Sequence, residues 1–178
     1  AGVDDGGVTD ILERFSAPTR EWFAGAFDAP TAAQLGAWEA ISSGAHTLVV
    51  APTGSGKTLS AFLWSLDRLS STPADEHAAR EHRTRVLYVS PLKALAVDVE
   101  RNLRSPLVGI TQTAKRLGLT PPEITVGVRS GDTSQADRRA LARTPPDILI
   151  TTPESLFLML TSAARENLAG VETLIVDE

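Results

Sequence analysis

Short, continuously apolar runs alternate along this chain with segments whose apolar residues recur at helical spacing. Residues 10–15 form a first helical stretch, and Ala17-Pro18-Thr19 reads as a helix start that runs to about Gly25. Pro30-Thr31 starts another helix, with Leu35, Trp38 and Ile41 on one face and an end near Gly44. Thr47-Leu48-Val49-Val50 predicts a strand, followed at once by APTGSGKT and the helix-like LSAFLWSLDRL. Residues 70–84 are polar and without period, which predicts a surface excursion. Val86–Val89 is the next strand, and Pro91 leads into a long helical region interrupted at Pro106. Further strands are expected at Ile124–Val128, Asp147–Thr151 and Thr173–Val176, with short helices at Gln135–Ala142 and Ser155–Thr161.

Strands that are apolar throughout and alternate with helices imply a mostly parallel sheet flanked by helices on both faces, an α/β fold. No internal repeat or low-complexity tract is present. The chain stops at Asp177-Glu178, directly after a strand, as expected of a piece of something longer.

At 178 residues, with 42% apolar and 22% charged positions, the chain is long enough for a real core and excludes disorder as its main state. It has no Cys, which removes disulfides, cysteine-based zinc sites and thiol nucleophiles, and its three His make a His-built metal site an unfavoured reading. No apolar run approaches the roughly 20 residues of a membrane span, so no membrane partner is expected. The net charge of −5 hides an asymmetry: residues 83–143 carry 11 Lys/Arg against 5 Asp/Glu. Such a basic middle third is either an electrostatic footprint for a polyanion or a set of solvated helix faces.

The chemistry is most legible in Ala51-Pro52-Thr53-Gly54-Ser55-Gly56-Lys57-Thr58. This is the phosphate-binding pattern Gly-x-x-x-x-Gly-Lys-Thr with Ala51 in place of the first Gly, set between an apolar run and a helix. Glycines let successive N–H groups point at one anion, and the following helix offers its positive end. Lys57 can reach the β- and γ-phosphates, and the Thr58 hydroxyl can ligate Mg²⁺. The second half of such a site is a carboxylate at a strand end, supplied by Asp177 for Mg²⁺ and Glu178 as general base. ATP or GTP, Mg²⁺ and phosphoryl chemistry follow from these residues.

Several segments then narrow the class by resemblance. Pro52–Thr58 resembles motif I of superfamily 2 helicases, and Phe27-x-x-Pro30-Thr31-x-x-Gln34 resembles their Q motif. Ser90-Pro91-Leu92-Lys93-Ala94-Leu95 is similar to motif Ia. Ser130-Gly131-Asp132-Thr133 and Thr151-Thr152-Pro153-Glu154-Ser155-Leu156 resemble further strand-contacting motifs, and Val176-Asp177-Glu178 the opening of the DExH motif II. SPLKALAVDVERNL, VRSGDT and TTPESLFLMLTS resemble the large helicase-related (Lhr) family of bacterial DNA repair helicases.

The resemblance implies a RecA-like P-loop domain over 27–178, cut at motif II, after an N-terminal extension with helices over 1–26. It implies an ATP-dependent 3′-to-5′ translocase on single-stranded DNA in the bacterial cytoplasm. It places Thr53, Gly54, Ser55, Gly56, Lys57 and Thr58 on the triphosphate and metal, Gln34 on adenine and Phe27 near the base. Pro91, Lys93, Gly131, Asp132, Thr133, Thr152 and Pro153 would lie along the strand's backbone. A second RecA-like domain, bringing arginine fingers, and C-terminal domains of the same parent are the implied partners, and this chain alone is expected to hydrolyse ATP negligibly.

Plainer readings stand beside these. Thr152-Pro153 is also a helix cap followed by a helix-starting Pro. Arg101, Arg104, Lys115, Arg116, Arg138, Arg139 and Arg143 read as solvated faces that add unspecific attraction. Trp38 and Trp64 read as core. An RNA-directed lobe and a non-catalytic nucleotide- or nucleic-acid-binding module are the rival functions, since contacts to a phosphate backbone need not touch the 2′-hydroxyl.

Overall fold

A computed structural model describes residues 10–79, 84–91 and 93–177. The chain divides into two compact units, one of Ala1–Pro73 with Ser105–Pro121 and one of Ala74–Arg104 with Pro122–Glu178.

The first unit contains a helical turn at 10–13, α1 (Ala17–Ala26), α2 (Ala32–Ser42) and α3 (Lys57–Ser71). Aromatic edges build its core. Phe15 meets Trp38 and Trp64 at 5.2 and 5.3 Å between ring centroids, and Phe23 meets Trp38 at 5.5 Å, all near perpendicular. Trp38 is fully buried, and its indole N–H donates to the Ser60 carbonyl at 3.1 Å, which pins α2 to α3. At the start of α1 the buried Asp67 carboxylate of α3 accepts from Ser16 N at 3.1 and 3.3 Å and from Ser16 Oγ at 2.6 Å.

The second unit holds α4 (Ala74–Ala79), β1 (Val86–Val89), β2 (Val126–Arg129), α6 (Gln135–Arg143), β3 (Ile148–Thr151), α7 (Pro153–Leu160), a 3₁₀ helix (Ala163–Leu168) and β4 (Thr173–Val176). Between β1 and β2 runs α5 (Lys93–Arg116), divided between the two units. The four strands pair in parallel in the order β2-β3-β1-β4. Every position of β1 and β3 is buried, so both faces of the central sheet are covered. On one face Leu87, Val89 and Leu149 pack with Met159 and Leu156 of α7 and with Ala164 and Leu168 of the 3₁₀ helix. The expected α/β class with its parallel sheet is what the chain forms.

Two local expectations fail. Thr47–Val50 is not a strand: it is irregular, and Leu48 and Val50 are 89% and 86% exposed. An apolar run becomes a strand only when a neighbour completes its ladder, and no described residue pairs with this one. Pro106 does not break the helix, which continues to Arg116. Val99, Leu103, Ile110 and Ala114 are buried along it. Burial of Val99, Leu103 and Ile110 at about 1.5–3 kcal/mol each together outweighs the roughly 3 kcal/mol that an internal Pro costs. Part of the polar excursion is helical too, as α4, whose first turn carries Asp75 and Glu76. His77 of α4 pairs with Asp147 at 3.3 Å.

Candidate functional site

In the first unit the loop between Ala51 and Thr58 turns on two glycines. Gly54 and Gly56 have φ of 81° and 79°, the left-handed region where only glycine is unstrained. Gly56 is the N-cap of α3, so Lys57 opens that helix and Thr58 follows, exposed. The Lys57 ammonium donates to the Ala51 carbonyl and, at 3.0 Å, to the Pro52 carbonyl. Those bonds keep the cation inside the loop, beside the free N–H groups of the α3 N-terminus.

The N-terminus of α2 grips the same loop. Thr31 and Gln34 form a capping box, Thr31 N donating to Gln34 Oε1 at 2.9 Å and Gln34 N to Thr31 Oγ1 at 3.2 Å. The Thr31 hydroxyl also donates to the Ser55 carbonyl at 2.8 Å. Gln34 is buried, with its amide against Gly56. Phe27 is 41% exposed and stacks on Phe23 at 4.8 Å. Thr53 lies exposed in the turn.

In the second unit the strand ends line up. Val89 is level with Thr151 and with Val176, and Arg129 with Thr151. The next residues, Ser130, Thr152, Ser90 and Asp177, therefore follow one another across one sheet edge. Backbone bonds fix them there: Ser90 N donates to Thr151 O and Asp177 N to Val89 O, both at 3.0 Å. The Tyr88 hydroxyl donates to Asp177 Oδ2. Pro91 is exposed beyond Ser90, and Lys93 opens α5. Glu178 lies outside the described residues.

The loop after β2 is held by its own side chains. Ser130 N donates to Thr133 Oγ1 at 2.8 Å, and Asp132 N to Ser130 Oγ at 3.4 Å. Arg138 of α6 donates to the carbonyls of Gly131 and Ser130 at 2.9 and 3.4 Å. Arg138 is thus no solvated surface charge but the strut of this loop. The sequence carried no sign of that beyond its place in the first turn of α6. Burial first, and Arg138 second, lower the pKa of the Arg129 guanidinium. Next along the edge, Thr152 caps α7, its hydroxyl accepting from Ser155 N at 3.4 Å, with Pro153 in the first turn. Tyr88 was also missed, because a tyrosine in an apolar strand reads as core.

With this geometry in hand, comparison with known proteins decides the family. The DEAD/DEAH box helicase model matches residues 31–178. The chain belongs to the DEAD/DEAH box helicase family. A Mycolicibacterium smegmatis protein described as an Lhr helicase and probable uracil glycosylase is 69% identical over 169 residues, 95% of this chain and 11% of its own length. The ATP-dependent helicase Lhr-Core of Methanocaldococcus jannaschii is 42% identical over 96% of this chain and 20% of its own length. The structure of Mycobacterium smegmatis helicase Lhr bound to single-stranded DNA and AMP-PNP matches with a TM-score of 0.87 and 67% identity, over 94% of this chain and 21% of that one. The chain therefore spans a small part of these helicases.

Mg²⁺ takes hard oxygen donors, and Thr58 in the first unit and Asp177 in the second each carry one. Among the described residues no group of three or more His, Cys, Asp or Glu could hold a metal ion. Mg²⁺ keeps its waters and binds through few protein oxygens together with phosphate.

Proposed function

We propose that this chain is the first RecA-like, ATP-binding lobe, spanning 27–178, of an Lhr-type ATP-dependent helicase that translocates 3′ to 5′ on single-stranded DNA and acts in DNA repair. The observation that carries the reading is the left-handed pair Gly54 and Gly56 delivering Lys57 and Thr58 to the head of α3. On binding ATP, Lys57 exchanges the carbonyls of Ala51 and Pro52 for the β- and γ-phosphates, and the N–H groups of Ser55 and Gly56 close on the same anion. Thr58 and Asp177 would hold Mg²⁺, which supplies charge neutralisation at the phosphates. Glu178 acts as general base toward the attacking water. Gln34 and Phe27 bound the adenine side.

Along the sheet edge, Pro91, Lys93, Gly131, Asp132, Thr133, Thr152 and Pro153 hold the strand by its backbone, as a motor indifferent to sequence requires. The 67% identical helicase solved with single-stranded DNA supports DNA over RNA as the track. Hydrolysis belongs to the protein at the length of its relatives, with a second RecA-like domain supplying the arginine fingers. A fluorescent-ATP titration with Mg²⁺ tests the core of this reading. Wild type is expected to bind and Lys57→Ala to lose at least tenfold in affinity; equal binding by both rejects the phosphate cradle.

A further inference from the structure

Tyr88 stands in β1 among Val86, Leu87 and Val89, and it is 1% exposed. A phenylalanine would fill the same core volume, so the hydroxyl is what this position adds. A buried tyrosine hydroxyl needs a partner, and here its acceptor is Asp177 Oδ2 on the neighbouring strand end. The pairing explains the reach. Tyr88 lies opposite Ile175, and Asp177 follows two residues later on the same face. The Asp177 backbone is fixed as well, through its N–H to Val89 O at 3.0 Å. Asp177 Oδ1 has no partner among the described residues.

We propose that Tyr88 is a positioning residue for the metal-binding acid, fixing Asp177 through Oδ2 and leaving Oδ1 to serve Mg²⁺ or its water. This rests on the reading of Asp177 as the Mg²⁺ carboxylate. Ligand carboxylates are ordinarily oriented by such outer hydrogen bonds, and losing one costs about 10–100-fold in metal affinity or activity.

The test uses the full-length protein and compares wild type with Tyr88→Phe, Asp177→Asn, their double variant, and Leu87→Val as a stability control in the same strand. The readouts are binding of a fluorescent ATP analogue as Mg²⁺ is titrated, the same binding in EDTA, and Mn²⁺ binding by electron paramagnetic resonance with the nucleotide present. Tyr88→Phe is expected to raise the Mg²⁺ midpoint and weaken Mn²⁺ binding by about tenfold, with nucleotide affinity in EDTA unchanged. Leu87→Val should move only the melting temperature, and Tyr88→Phe should shift the Mg²⁺ midpoint no further once Asp177 is Asn. A wild-type Mg²⁺ midpoint in Tyr88→Phe, or an equal shift in Leu87→Val, overturns the proposal. An unmoved midpoint in Asp177→Asn instead removes Asp177 as the metal carboxylate.

Discussion

The carboxamide of Gln34 occupies the space that a Cβ on Gly56 would need. The Q-like segment and the glycine loop are therefore fitted to each other, and the fit is reinforced by the Thr31 hydroxyl on the Ser55 carbonyl at 2.8 Å. A side chain on α2 that was expected to serve adenine also sets the shape of the phosphate loop.

Gly56→Ala should accordingly be worse than Gly54→Ala. Both force a non-glycine residue into the left-handed region, at about 1–2 kcal/mol. At Gly54 nothing lies within 4 Å of the added methyl group, whereas at Gly56 it strikes Gln34. Nucleotide affinity measured by fluorescence titration should fall roughly tenfold for a loss of about 1.4 kcal/mol in Gly54→Ala, and further in Gly56→Ala. Measured against Gln34→Ala alone, so that the Gln34 contacts are missing from both proteins, Gly56→Ala should then cost no more than Gly54→Ala. Equal losses at the two glycines would mean that contact with Gln34 does not shape the loop.

What the sequence revealed and what it hid divide along a physical line. Local chemistry was legible: the Gly-x-Gly-Lys-Thr spacing requires the left-handed turns observed at Gly54 and Gly56, and the hydroxyl of Thr152 caps the helix before Pro153. The strands buried on both faces, Val86–Val89 and Ile148–Thr151, were also legible, because burial on both sides leaves an unbroken apolar run. Partnership across the sequence was not. Thr47–Val50 has the composition of a strand without a ladder, and Pro106 sits in a helix that distant packing sustains. Arg138 and Tyr88 carry their meaning in acceptors 7 and 89 positions away.

Arg138 supports the Ser130–Thr133 loop through carbonyl oxygens, so its removal should weaken nucleic-acid binding without subtracting a phosphate contact. Each such bond from a charged donor is worth about 1.5–3 kcal/mol, part of which the loop regains by hydration. Arg138→Ala is expected to lower affinity for a single-stranded oligonucleotide several-fold at every salt concentration. The slope of log K against log salt should stay that of wild type, because a lost phosphate contact would reduce it by about 1. Arg143→Ala, an exposed charge on the same helix, serves as the comparison and should leave affinity close to wild type. A reduced slope in Arg138→Ala would make Arg138 a direct phosphate ligand.

Thr152 raises the opposite question, whether a good cap is also a contact. Its hydroxyl accepts from Ser155 N, and the residue is only 3% exposed. Thr152→Ala should cost about 1 kcal/mol of stability from the cap alone, and that loss would blur any effect on binding. Asn and Asp both cap well, and they differ in charge. Thr152→Asn should therefore melt near wild type and bind a single strand with little change. Thr152→Asp should melt lower, because the positive end of α7 offsets only part of the cost of burying a carboxylate, and at a temperature where both variants are folded it should bind at least tenfold more weakly than Thr152→Asn, because it sets a carboxylate against the backbone phosphates. If the Asp and Asn variants bind alike, Thr152 only caps α7 and the strand does not pass this end of the sheet.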